Sequence, residues 1–403
     1  MKRLRLGLAG LGEASLKALA EVDRVKEVQL TAGADLRPGA LAGFQKKFGG
    51  KGYSSVQAMC ESDEIDVVWI ATPNLFHAEH AIMAAECGKH VIVEKPMAVT
   101  LEEADRMIDA ADRNGVRLVQ GHSKIYSPAI QKIREVVHSG RLGRLIQINT
   151  WNSNDWMQRP RLPAEVDTTL GGGVCFRQGP HQVDIVRYIG GGLVKNVRAI
   201  TGRADPNFNT EGHYTSFLEF ANGAAATMVF NGYGHLDMSE LTWGIGEGGK
   251  RLSEEERQAK SPHARFTGPV DMGTKYSSPQ STGANLSRKR DAQSIVGLTI
   301  VACERGAIRQ SPDGIYLYSE AGREEILCEF DSGRQAVLRD LYYALAEDRP
   351  VLSDGRWGKG SVEVCLAMLQ SSTEGRAIPL SSQVQCVESR LFPAARGEKC
   401  ERL

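Results

Sequence analysis

Glu94-Lys95-Pro96 follows a short apolar run, His90 to Val93, and a lysine in that place can do acid–base work. A residue just past the C-terminal end of a buried strand lies at the crevice where α/β folds bind ligands. Beside a cationic ring its pKa would fall, and it could then exchange a proton with a substrate hydroxyl. Upstream, Gly10-Leu11-Gly12-Glu13-Ala14-Ser15 reads G-x-G-x-x-S between an apolar run and a helical segment. Gly10 and Gly12 permit a tight turn and bring Glu13 and Ala14 close to a pyrophosphate at a helix N-terminus. Ser15, where Gly or Ala is usual, is still small enough for helix–strand packing. Asp35 ends the second apolar run, where a carboxylate would bind the adenosine ribose hydroxyls. Together these residues imply dinucleotide binding. Asp35 would repel a 2′-phosphate, which favours NAD. Arg37, two residues on, could receive that phosphate or stack on adenine, so NADP stays open.

A second group stands further on. Gly171-Gly172-Gly173 leads to Arg177-Gln178-Gly179-Pro180-His181 and then Asp184. On one helix Arg177, His181 and Asp184 would share a face, and Pro180 fits only in the first turn. Arginine cannot act as a base, but its fixed fork of donors suits a carboxylate. Trp151, Arg159 and Arg161 precede the glycines, and aromatics with arginines could hold a planar carboxylated ring. The bland alternative packs Trp151 in a sheet and leaves both arginines solvated. His77-Ala78-Glu79-His80 is an i, i+3 pair, not the i, i+4 arrangement of a zinc helix. No metal is therefore expected, and His77 is placed near the cofactor. Gly244 to Gly249 reads as a turn, and Arg288-Lys289-Arg290 as a solvated basic run.

Two kinds of scaffold must position these residues. Leu4–Ala9, Val28–Ala34, Ile65–Ala71, His90–Val93 and Val116–Val119 read as buried parallel strands. Helical spacing recurs in Ala78, Ala81, Ile82 and Ala85, and in Leu101, Ala104, Ile108 and Ala111 behind a Thr100 cap. The alternation predicts a doubly wound α/β Rossmann domain over residues 1–125. A helix over 127–138 leads out of it. Leu145–Trp151, Val194–Thr201, Tyr214–Phe220 and Ala224–Phe230 read as longer strands, the last two joined at Asn222-Gly223. Helices are expected near 334–347 and 358–375. The second domain, 126–403, is thus α+β on a mostly antiparallel sheet, with a long polar surface insertion at about 250–294.

Composition narrows the class. Lysine plus arginine equals aspartate plus glutamate at 49 each, so no global field favours nucleic acid or an anionic membrane. No apolar run approaches the ~20 residues of a membrane span, and the N-terminus does not read as a signal peptide. Eight cysteines are scattered without a C-x-x-C pair, as in a cytoplasmic protein with reduced thiols.

The combination of Gly10 and Gly12, Ala71-Thr72-Pro73-Asn74 with His77, and Gly88-Lys89-His90-Val91 before Glu94-Lys95-Pro96 resembles the Gfo/Idh/MocA oxidoreductases. The likeness covers residues 4 to about 125 and resumes at Gly171–Gly173, His181 and Asp184. It implies NAD(P) use, with Thr72, Pro73, Asn74, His77, Glu94 and Lys95 along the cofactor. It also implies that Lys95 touches substrate and nicotinamide, that His181 is its proton-transfer partner, and that Lys95-Pro96 is cis. Which of the two is the general base stays open. The family commonly has aspartate where this chain has Arg177, which turns the expectation from a polyol to an acidic substrate. The second half is most similar to the branch that dehydrogenates dihydrodihydroxyphthalate, through Arg159-Pro160-Arg161, Gly171 to His181 and Gly232-Tyr233-Gly234. Hydride transfer from the ring would then yield a ketone that tautomerises to a catechol, with Arg177 and Arg159 or Arg161 clamping carboxylates. A sugar, inositol or sugar-acid dehydrogenase is the alternative, and a non-catalytic dinucleotide-binding regulator is the alternative of another class. By analogy a homodimer or homotetramer is expected.

Overall fold

Short, fully buried apolar runs at the N-terminal end leave no choice but a sheet covered on both faces. The computed structural model, which describes residues 2–12, 15, 21–258, 268–277 and 292–387, shows that sheet. Glu13, Ala14 and Arg288 to Arg290 lie outside the described residues. Six parallel strands run in the order β3-β2-β1-β4-β5-β6. They are β1 Leu4–Ala9, β2 Val28–Ala34, β3 Lys51–Tyr53, β4 Val67–Ile70, β5 His90–Val93 and β6 Leu118–Gln120. The order reverses beside β1, so the crevice at the C-terminal ends of β1 and β4 is the topological switch point. Thr100 caps the helix Leu101–Arg113 by accepting from the Glu103 N–H at 3.1 Å.

The second sheet has nine strands in the order β14-β13-β12-β11-β7-β10-β9-β8-β15. β7 Leu145–Ser153, β8 Val194–Gly202, β9 His213–Phe220 and β10 Ala225–Asn231 were expected within a residue or two, and β7 and β10 are the single parallel pair. Five strands of this sheet were not expected: β11 Leu298–Cys303, β12 Gly306–Gln310, β13 Gly314–Ser319, β14 Gly322–Leu327 and the short β15 Ile378–Pro379. β14, at the edge, is exposed at nearly every position and carries no apolar alternation to read. β15, Ile378–Pro379, closes the other edge, where a proline costs no ladder bond.

One face of this sheet is packed and the other is open. Ile148, Thr150 and Asn152 of β7 are buried, whereas Trp151 between them is 47% exposed. The helix Gly179–Gly190 covers the packed face, its Gln182 donating to Thr150 Oγ1 at 3.1 Å. The helices Gly333–Glu347 and Gly355–Glu374 close the chain's core, and Asp354 bridges to Val119 of β6.

Candidate active site

At the end of β1 the backbone at Gly10 has φ +84°, and an added Cβ would stand 3.0 Å from the Ala71 carbonyl oxygen. Only glycine fits so close a pass between strands. Before Gly12 the space is open. Asp35 accepts from the Leu11 N–H at 2.8 Å and from the Arg37 backbone N–H, Nε and Nη2, each at 2.9 Å. Burial alone would raise its pKa, but the Arg37 and Leu11 hydrogen bonds outweigh it and keep the carboxyl below its ordinary value. Arg37 is thereby folded onto Asp35 and the Leu11 carbonyl rather than held out for a phosphate.

At the end of β5, Glu94 is buried with Oε1 lacking a hydrogen-bond partner. Such an orphaned oxygen calls for a donor, and a hydroxyl of a bound cofactor would satisfy it. The glycine passage, the carboxylate at the end of β2 and this oxygen all suit NAD.

Two expected cofactor residues also hold loops of the protein together. His77 is buried with Nδ1 2.8 Å from the Pro96 carbonyl and Nε2 2.9 Å from the Thr72 carbonyl, so it ties two loops together. Burial pushes its pKa down to about 4. Asn74 donates to the Gly171 carbonyl at 2.8 Å and accepts from Arg177 Nη1 at 2.9 Å, joining the two sheets' loops. Thr72 reaches His80 Nδ1 at 3.0 Å, and Pro73 is exposed beside it.

Lys95 precedes a cis proline, and its Nζ donates to the Arg177 carbonyl at 2.6 Å. The single helix imagined through Arg177, His181 and Asp184 is broken. Gly173–Arg177 ends at Gln178, and a new helix, Gly179–Gly190, begins with Pro180 in its first turn. His181 and Asp184 therefore share a face while Arg177 points elsewhere. His181 Nδ1 lies 2.8 Å from Nε2 of His122, which follows β6, and His122 Nδ1 lies 2.7 Å from Asp184 Oδ2. Asp184 is wholly buried and also accepts from Gln120 Nε2 at 3.1 Å and from Ser361 Oγ, with Arg187 Nη1 3.7 Å away. It is thus no substrate contact, correcting that expectation. His181 itself is half-buried. Burial, then the charges of Lys95, His122, Lys124 and Arg334, push its pKa well below the usual histidine value.

The cations gather around a carboxylate that sequence reasoning missed. Glu165 accepts from Arg177 Nη2 at 2.8 Å, lies 2.9 Å from Lys275 Nζ and 3.8 Å from Arg161 Nη1. Burial would raise its pKa, but Arg177, Arg161 and Lys275 bring it down to about 2. Arg161 is buried with its guanidinium 4.2 Å from the Trp156 ring centroid. Lys275 comes from within the 250–294 stretch, which is therefore not all surface: it is 7% exposed and donates to the Pro160 carbonyl at 3.1 Å. Arg159 stands apart, paired with Asp155 at 2.5 Å. Trp151 does not join the site, because strand alternation turns it to the open face of the sheet. Glu165, Lys275 and His122 gave no signal in sequence, since each depends on contacts over long chain separations.

A two-sheet chain with a nucleotide crevice at the switch point and a lysine–histidine pair at its mouth is a nicotinamide-dependent oxidoreductase in class. Residues 4–122 match the oxidoreductase family with an NAD-binding Rossmann fold, Gfo/Idh/MocA, and residues 130–243 match that family's C-terminal domain. The chain belongs to the Gfo/Idh/MocA family. It is 34% identical over 380 residues to 1-carboxy-3-chloro-3,4-dihydroxycyclohexa-1,5-diene dehydrogenase of Comamonas testosteroni, covering 91% of this chain and 94% of that protein. A solved structure named as a dehydrogenase, from Bordetella bronchiseptica RB50, superposes with TM-score 0.86 at 34% identity, over 94% of this chain and 100% of that one. An Agrobacterium radiobacter oxidoreductase solved with NAD+, L-tartaric acid and magnesium shares the fold, with TM-score 0.70 at 18% identity, over 94% and 98%. Among the described residues no helix is long and apolar enough to cross a membrane, and no His/Cys/Asp/Glu group could hold a metal.

Proposed function

We propose that this enzyme oxidises a carboxylated cis-dihydrodiol to the catechol with NAD. The observation that carries the reading is the cluster of three cations, Arg161, Arg177 and Lys275, around the one carboxylate of Glu165. Arg177 is held there on Glu165 and Asn74, and its own backbone carbonyl accepts from Lys95. A planar guanidinium fork suits a carboxylate, and a neutral polyol would gain little from it. A ring carboxylate gains a charge-assisted contact. The activity named for the Comamonas relative, on a carboxylated cyclohexadiene diol, supports the same substrate class.

The bound nicotinamide supplies the hydride acceptor. Arg177 orients the ring through its carboxylate, Lys95 polarises the reacting hydroxyl from its anchor on the Arg177 carbonyl, and His181 takes the hydroxyl proton. The open face of the nine-stranded sheet exposes Trp151, Ile200, Phe217 and Ile300, which fall in two cross-strand rows, Trp151 with Ile200 and Phe217 with Ile300. We propose that this face joins subunits into a homodimer or homotetramer. Seven free thiols among the described residues support a cytoplasmic setting.

The test is NADH appearance at 340 nm with a carboxylated cis-dihydrodiol, myo-inositol and glucose. Turnover is expected on the first alone. Arg177→Ala should raise KM by roughly 100-fold, as for loss of a charge-assisted bidentate contact, with a smaller change in kcat. Lys95→Ala should nearly abolish turnover. Good turnover of the neutral polyols, with Arg177→Ala indifferent, would replace the reading with a sugar dehydrogenase. NAD binding without turnover on any of the three would leave a regulator.

A further inference from the structure

Asp184 and His181 sit three residues apart on one helix face, and His122 from the other domain is wedged between them. His122 presents Nε2 to His181 Nδ1 at 2.8 Å and Nδ1 to Asp184 Oδ2 at 2.7 Å. The ring is 1% exposed and Asp184 0%. Asp184 is held in place, because Gln120 and Ser361 donate to it and Arg187 Nη1 lies 3.7 Å away. His122 Nδ1 makes no well-aligned hydrogen bond to Asp184, but two facing lone pairs 2.7 Å apart in a buried pocket would repel, so a proton belongs on that nitrogen. Neutral His122 then offers a lone pair at Nε2. His181 must fill it with its own Nδ1–H, which leaves His181 Nε2 bare. The chain of contacts thus makes His181 a base in the tautomer that oxidation requires.

We infer that Asp184, His122 and His181 form a proton relay, in which His122 takes up a proton through His181 during oxidation of the substrate. The inference rests on the oxidoreductase reading above. The balance is simple. The substrate O–H bond breaks and its proton forms a bond to His181 Nε2, while the C–H bond breaks and its electron pair leaves with the hydride for the nicotinamide. The Nδ1–H of His181 breaks, and that proton binds His122 Nε2. His181 ends neutral in its other tautomer, and His122 ends as an imidazolium against the Asp184 carboxylate, which stays ionised throughout. Reversal of the two shifts returns the proton to the ketone oxygen as the product tautomerises, or to water.

The relay also answers an electrostatic problem. Lys95, Lys124 and Arg334 all face His181, and with His122 they oppose a positive charge on its ring. One ring further in, the Asp184 carboxylate lies 2.7 Å from His122. His181 touches the substrate and is the catalytic residue. His122 and Asp184 act through it and are positioning residues.

The test starts from His122→Gln, whose amide oxygen can still accept the His181 Nδ1–H but cannot carry a proton. With the substrate that the wild type oxidises, kcat should fall at least 100-fold. KM, NADH affinity and the thermal midpoint should stay within twofold or a few degrees. In His122→Ala, added imidazole should restore activity at least tenfold, and the same imidazole should do nothing for His122→Gln. Asp184→Asn should lower kcat too, but its neighbour Arg187 is buried, so a folding defect there is read by the thermal midpoint and replaced by the His122 variants. Histidine ring ¹⁵N spectra of the enzyme without substrate give an independent readout. They should show His122 protonated at Nδ1 and His181 protonated at Nδ1 with Nε2 bare. If His122→Gln keeps kcat within threefold, the proton stops at His181 and the relay is wrong. Spectra with His122 bare at Nδ1 overturn it equally. Turnover of a neutral polyol instead of a carboxylated diol sinks the substrate assignment alone, and the relay is then tested on that polyol.

Discussion

His181 works as a base only while its ring is neutral, and every charge that faces it helps keep it so. Its pKa lies well below the ordinary 6.5, so kcat/KM should stay level as pH falls through 6.5 and decline only in more acidic solution. Lys124→Ala removes one of the opposing charges and should move that acid limb upward. A limb that stays put would show that Lys124 is screened from the ring. His77 makes a similar statement about stability. Its folded value of about 4 is below the unfolded value, so the unfolded chain binds the proton more readily between the two. The stabilisation is full above pH 6.5 and is lost as pH falls to about 4, to the extent of about 3 kcal/mol. His77→Gln should flatten that part of a plot of thermal midpoint against pH. Lys95 and His181 were singled out from sequence because each follows a local signature, a strand end and a glycine-led helix start. His122 was not, because its importance comes from partners 59 and 62 residues away that only the fold brings near.

At the scale of elements, the loop from Trp156 to Leu170 is shaped by Glu165. It accepts from the Leu162 N–H at 2.8 Å, fixing the turn, and holds three side chains from three separate places in the chain. Glu165→Gln leaves those cations facing one another and should cost about 3 kcal/mol in a denaturant titration. Adding an aromatic dicarboxylate should raise the thermal midpoint of Glu165→Gln more than that of the wild type, since the ligand then replaces the lost counter-charge. No difference between the two would argue that the cations are structural. The parallel strands of the first sheet were readable because both faces are buried and the apolar runs are unbroken. β11 to β14 escaped notice as short runs separated by tight turns; their places come from successive hairpins that build outward from β11, which alone of them pairs with β7. The break at Gln178 escaped notice because Gly179-Pro180 reads equally well as an interruption or a first turn.

Across the whole molecule, the two sheets meet through side chains rather than through a continuous core alone. Asn74 and Lys95 reach from the first sheet to Gly171 and Arg177 of the second, and Arg356 and Lys359 of the long C-terminal helix pair with Asp112 and Asp105 of the first. The nine-stranded sheet meanwhile presents its apolar outer face to the surroundings. Replacing Trp151 and Phe217 together by aspartate should dissociate the assembly in sedimentation experiments while leaving NADH binding intact. A wild type that sediments as a monomer would remove the proposed interface. The two-sheet plan was visible in the change from alternating strand and helix to long strands near residue 145. The position of Trp151 was misjudged because alternation settles which face it takes only once the buried neighbours Thr150 and Asn152 are known.

Lys95 is anchored on the backbone carbonyl of residue 177, not on that residue's side chain. Any amino acid at 177 offers the same oxygen, so the side chain there can change without unseating the lysine. Chemistry and preference are therefore separable at one codon: a lineage can try a new substrate by altering position 177 while its reactive apparatus stays assembled.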